Sequence, residues 1–140
     1  MSVNLKQRSV LGLCVLAGLM DASSGLLLMT VPEFTLELMK VDVATIEVLV
    51  FIRFIGAFVF SVGMLYVFAW LQFLRNESWP PVRAVLLMTA WVRAVICLFT
   101  AVAIASGTLP MSWASVPLTD GCLAVLQLWM VLKGWVPRDD

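Results

Sequence analysis

The chain has 140 residues, 62% of them hydrophobic and 13% charged, with nine basic and nine acidic side chains and a mean hydropathy of +1.02. Soluble globular domains are about half apolar and about a quarter charged, so this composition excludes that class, and it excludes a disordered chain, which lacks apolar residues. Balanced charge with no basic run argues against a nucleic-acid partner, and the absence of histidine removes histidine-ligated haem, most catalytic zinc sites and any histidine base.

A helix that crosses the hydrocarbon core needs about 20 mostly apolar residues. The first such stretch, residues 10–31, follows Lys6 and Arg8 and ends at Pro32. Its basic start, apolar run and small tail at Ala22, Ser23, Ser24 and Gly25 imitate a signal peptide. The apolar pattern resumes at once with Leu26, Leu27, Leu28 and Met29, so the stretch is read as a retained first helix. Residues 32–41 are too short to span. A proline at a helix start, acids beside it and Phe34, Leu38 and Met39 on one side predict a short helix that lies in the outer interface and covers the end of the fold, a reading favoured over a lid above a cavity.

Residues 47–74 predict a second spanning helix, residues 82–107 a third and residues 116–135 a fourth, with turn chemistry at residues 76–81 and 107–110 between them. Pro81 and Pro117 stand at helix starts, where a missing N–H costs nothing. Four crossings with short joins leave no room for a soluble part. The expectation is a single all-α domain over residues 1–140, a four-helix transmembrane bundle. With a cytoplasmic N-terminus, Lys6, Arg8, Arg75, Arg83, Lys133 and Arg138 all fall inside, and only Lys40 falls outside, beside Glu33, Glu37 and Asp42. That asymmetry predicts both termini on the cytoplasmic side. Trp70, Trp79, Trp129 and Trp135 then gather at the inner boundary and Trp113 marks the outer one.

Asp21, Arg53, Arg93 and Asp120 fall inside the spans, one per helix. Each costs about 2.5–3.5 kcal/mol near a helix centre. Counted from the outer ends at ~1.5 Å per residue, Asp21 lies ~15 Å deep, Arg53 ~9–12 Å, Arg93 ~21 Å and Asp120 ~6 Å. Those depths pair Arg53 with Asp120 and Asp21 with Arg93, with Arg53 to Asp21 the close rival. The four sum to zero charge, the balance expected of a set that satisfies itself in a shared interior.

The helix faces point the same way. Asp21 shares its stripe with Cys14, Gly18, Ala22 and Gly25, and Arg53 with Gly56, Ala57, Phe60, Gly63 and Met64. Arg93 sits among Ala90, Ala94, Cys97, Thr100 and Ala101, and Asp120 lines up with Pro117, Gly121, Ala124 and Gln127. Small residues let membrane helices approach closely. The predicted buried or ligand-binding set is therefore Asp21, Arg53, Arg93, Asp120 and Gln127, with Gly18, Gly25, Gly56, Gly63 and Gly121 as packing positions.

Cys14, Cys97 and Cys122 fall on three helices at different depths with no close pair, which disfavours a shared disulfide or metal site, and they read as small packing residues. Ser23 and Ser24 have no base at their depth, so a nucleophile is not expected. No phosphate loop or dinucleotide fingerprint is present.

The residues 25–32, then Leu38, Met39 and Val41, then Phe51-Ile52-Arg53-Phe54-Ile55-Gly56-Ala57 and Ser61-Val62-Gly63, together resemble the small four-helix membrane proteins of the DoxX-like group. The resemblance covers about half the chain, mainly residues 11–70. It carries over Pro32, Arg53, Gly56 and Gly63 as structural positions only. It implies a four-helix fold and association with membrane redox or quinone-linked complexes, and supplies no catalytic set.

Three functions compete on this reading. One is a non-catalytic scaffold or accessory subunit whose outer face, with Phe54, Phe58, Phe68 and Phe73, packs on lipid, on other membrane subunits or on itself. A second is a binder or carrier of a quinone or lipid, held between helices near Arg53 and Arg93. The third is a small homodimeric transporter using Asp21; two buried arginines beside the acid count against a cationic substrate.

Overall fold

The computed structural model describes residues 4–41 and 45–137. Among these, every regular element is helical: α1 (Leu5–Thr30), α2 (Pro32–Leu38), α3 (Ile46–Asn76), α4 (Pro80–Ala105), a 3-10 turn (Met111–Ala114) and α5 (Ser115–Leu132). Four helical segments are long and apolar enough to cross a membrane: α1, α3, α4 and the run Met111–Leu132. Two residues used above to set the orientation, Asp42 and Arg138, lie outside the described residues.

The helices begin and end for local chemical reasons that hydropathy does not report. α1 starts five residues before its apolar stretch because Asn4 and Gln7 form a reciprocal capping box. The Gln7 backbone N–H donates to Oδ1 of Asn4, and the Asn4 N–H donates to Oε1 of Gln7, both at 2.9 Å. α4 opens with Pro80 in its first turn. It closes on Gly107, which adopts φ +76° while the Thr108 N–H donates to the Ala103 carbonyl at 2.9 Å. α5 closes likewise on Gly134 at φ +69°, with the Trp135 N–H on the Met130 carbonyl at 3.0 Å. Both are Schellman-type ends, in which a left-handed residue satisfies the last carbonyls. Within the helices, the hydroxyls of Thr30, Ser61, Thr100 and Thr119 donate to the carbonyl four residues earlier at 2.7–2.8 Å, so they do not need water.

The chain forms two compact units, Leu11–Leu71 and Met1–Val10 with Gln72–Asp140. In the first, α1 and α3 meet along glycine. A Cβ added to Gly25 would stand 2.3 Å from the Phe60 nitrogen and 2.7 Å from the Gly56 oxygen. One on Gly63 would stand 2.5 Å from the Ala22 nitrogen, and one on Gly18 would stand 3.0 Å from Cβ of Tyr66. Rising numbers on α1 meet falling numbers on α3, so the helices run antiparallel. Backbone therefore touches backbone. In lipid this closeness replaces the hydrophobic drive, through dispersion and Cα–H···O contacts. The predicted packing roles of Gly18, Gly25, Gly56 and Gly63 follow from this seam.

α2 belongs to the same unit. It buries Pro32, Thr35 and Leu36, exposes Phe34 and Leu38 one turn apart, and exposes Glu33 and Glu37 one turn apart beside them. The helix is shorter than the ten residues expected because Lys40 takes φ +57° and the Val41 N–H donates to the Leu36 carbonyl at 2.9 Å.

In the second unit α4 and α5 form an antiparallel hairpin. A Cβ on Gly121 would stand 3.0 Å from Sγ of Cys97, which marks the close approach. At the start of this unit, Phe73 is buried and its ring lies 4.7 Å from that of Trp79. The sequence reading put Phe73 on the outer face with Phe54, Phe58 and Phe68; only those three are exposed. Phe73 departs because the turn after α3 folds Trp79 back onto it. At the same open end of the hairpin, after α5, Trp129 and Trp135 stack edge to face at 4.8 Å.

Candidate functional site

The polar centre of the α4–α5 hairpin is built from residues on facing stripes. Arg93 is buried, with 4% of its surface exposed, and Nη1 donates to Oδ1 of Asp120 in a short ion pair. One turn earlier on α4, the buried Thr89 donates its hydroxyl proton to the Val85 carbonyl at 2.7 Å. The same hydroxyl oxygen lies 3.3 Å from Oε1 of Gln127, which is fully buried on α5. Charge pair and amide–hydroxyl contact thus stack along one hairpin seam, with Gly121 and Cys97 closing it beside them.

The partner of Asp120 differs from the one the depths implied, which matched it with Arg53. The error lies in where the last span begins. Its helical run opens at Met111, not Val116. Four residues of 3-10 turn and the first five of α5 set Asp120 ~15 Å from that end instead of ~6 Å. Arg93, counted from Ala105, is ~18 Å from the end of α4. The remaining ~3 Å is within reach of the two side chains.

Arg53 departs further. It is exposed on α3, and it makes no hydrogen bond or ion pair among the described residues, so it does not join the predicted buried set. The glycine seam supplies the reason. Where Gly25 and Gly56 bring the backbones into contact there is no volume for a guanidinium, and Arg53, one turn from Gly56, lies to the side of the seam. Met64, assigned to the same stripe, is also exposed, whereas Gly56 and Gly63 are buried. On α4, Ala90 and Thr100 are buried with Arg93 while Ala94 and Ala101 are exposed, so the buried stripe is narrower than predicted.

Asp21 is buried at 6% exposed, and Asp21, Arg93 and Gln127 are each engaged in a further interaction. Thr89 was missed by the sequence reading, though its position four residues before Arg93 puts it on the same face. Tyr66, the single tyrosine, is fully buried and engaged, and was also missed. At the start of α4, Nη1 of Arg83 is buried without a hydrogen-bond partner. Cys14 is buried, Cys97 half-buried and Cys122 exposed; all three are free thiols. Cys122 faces a shallow apolar groove of about 400 Å³ on α5, lined also by Gly121, Val125, Leu126 and Trp129. No group of three or more metal-ligating side chains comes together among the described residues.

Comparison with protein-family models, with curated proteins and with solved structures finds no match.

Proposed function

We propose that this chain is a non-catalytic, multi-pass membrane protein that serves as a scaffold or accessory subunit of a membrane complex. The observation that carries this reading is the Arg93–Asp120 pair, in which the buried arginine of the α4–α5 hairpin is bonded to an acid of the same hairpin. A self-neutralised pair fixes helix register, and breaking it leaves an uncompensated charge. The four spans form a bundle with both termini cytoplasmic, as the distribution of Lys6, Arg8, Arg75, Arg83 and Lys133 favours. α2 lies in the outer interface, its Phe34 and Leu38 toward acyl chains and its Glu33 and Glu37 toward water, which the exposure of all four supports. The DoxX-like resemblance of residues 11–70 favours a complex with redox or quinone chemistry.

Purification in mild detergent, followed by identification of co-purifying proteins, tests this reading. A reproducible membrane partner released by R93M or D120N is the expected result. A chain that purifies alone from every extraction refutes the subunit role. Reporter fusions at the C-terminus test the orientation, an external reporter being the refuting outcome.

A further inference from the structure

Arg53 is a cation within an apolar spanning helix that no described residue of the chain neutralises. It is exposed, and it makes no hydrogen bond or ion pair among the described residues. Its neighbours Val50 (61% exposed) and Phe54 (74% exposed) are open as well. An arginine at bilayer depth is costly unless something satisfies it, so its surroundings in the membrane must supply hydrogen-bond acceptors, an anion above all.

The length of α3 fixes what that anion is. Its 31 residues extend ~46 Å at ~1.5 Å per residue, well beyond the ~30 Å hydrocarbon core. Glu47 and Arg75 bracket the apolar run, whose midpoint is Ser61. Arg53 then lies ~12 Å from the bilayer centre, only ~3 Å inside the hydrocarbon boundary. Side chains on a helix lean toward its N-terminus, and the N-terminus of α3 is the near boundary for Arg53. The guanidinium therefore reaches the headgroup layer while its stem stays among apolar neighbours.

We infer that Arg53 binds the phosphate of a phospholipid in the leaflet at the N-terminal end of α3, with the acyl chains lying over Val50 and Phe54. Guanidinium and phosphate match as a bidentate, charge-assisted pair. A second copy docked on the same face fits less well: a twofold axis along the membrane normal sets Arg53 against Arg53 at one depth. Glu47, the nearest acid on α3, is ~9 Å higher and more than a quarter-turn around the helix.

The inference rests on α3 spanning the bilayer, and the test separates the two. Membranes are first washed with alkaline carbonate; release of the chain refutes the span itself. For the retained chain, native mass spectrometry of the full-length protein in dodecyl maltoside measures binding of phosphatidylglycerol and of diacylglycerol with the same acyl chains. R53L lowers phosphatidylglycerol affinity about five- to tenfold, R53K retains most of it, and diacylglycerol does not distinguish the three proteins. Inorganic phosphate does not compete. Thermal unfolding of R53L without added lipid stays at the wild-type temperature, because no hydrogen bond or ion pair to a described residue is lost; R53Q replaces it if R53L aggregates. Equal phosphatidylglycerol binding by R53L and wild type overturns the inference, as does an R53L defect confined to the dimer fraction.

Discussion

Gly25→Ala is the most demanding substitution in the α1–α3 seam. The added Cβ would stand 2.3 Å from the Phe60 nitrogen and 2.7 Å from both the Gly56 oxygen and the Phe60 Cα, against 3.4–4 Å for ordinary contact. All three neighbours are backbone atoms, so no rotamer change relieves the clash. The helices must part by about an ångström. Overpacking in a tight core costs about 1–3 kcal/mol, and a displacement that loosens the whole seam puts Gly25→Ala near the upper end. Against this, alanine is favoured over glycine in a helix by about 0.5–1 kcal/mol. Gly12→Ala isolates that gain, since a Cβ there meets nothing within 4 Å on the same helix. Unfolding in detergent, by heat or by titration with a denaturing surfactant, should show Gly25→Ala destabilised by about 2 kcal/mol and Gly12→Ala unchanged or slightly stabilised. Equal behaviour of the two variants would refute the backbone-contact seam.

Three further outcomes follow from the geometry. Thr89→Val keeps the side-chain shape and removes the hydroxyl beside Gln127, costing about 1 kcal/mol by the same unfolding assay; an unchanged midpoint would mean the contact carries no weight. Gly134→Ala loses about 1 kcal/mol although its Cβ meets open space, because φ is +69°, while Gly134→Asn loses less. Asn4→Ala removes the acceptor for the Gln7 N–H and raises hydrogen exchange in the first turn of α1, with a stability loss of about 1 kcal/mol. Exchange at the wild-type rate would contradict the capping box.

Four helices long and apolar enough to cross a membrane were legible because twenty-residue apolar runs have few other uses. The glycine positions on α1 and α3 were legible too, since Gly18, Gly25, Gly56 and Gly63 recur at seven-residue steps on one face of each helix. The partner of Asp120 was not. Asp120 was misplaced because hydropathy gives the last helix its apolar limit at Val116 and does not report that Met111–Ala114 continues it as a 3-10 turn. Arg53 was misread for a different reason. Sharing a broad face with Gly56 does not separate a residue inside a seam from one at its margin, and at backbone contact that difference decides whether a long side chain fits. The capping box that starts α1 was present as Asn4 and Gln7 but lay outside the apolar pattern used to draw the boundary.

The central claim is that Arg93 and Asp120 neutralise each other within the α4–α5 hairpin and thereby hold it in register. A double-mutant cycle in unfolding free energy measures this directly. D120N should cost about 2–3 kcal/mol, and R93M more, since Arg93 is engaged in a further interaction. The R93M/D120N double variant should lose less than the two singles combined, by about 1 kcal/mol or more, the order of a direct coupling. Strictly additive losses would contradict the claim.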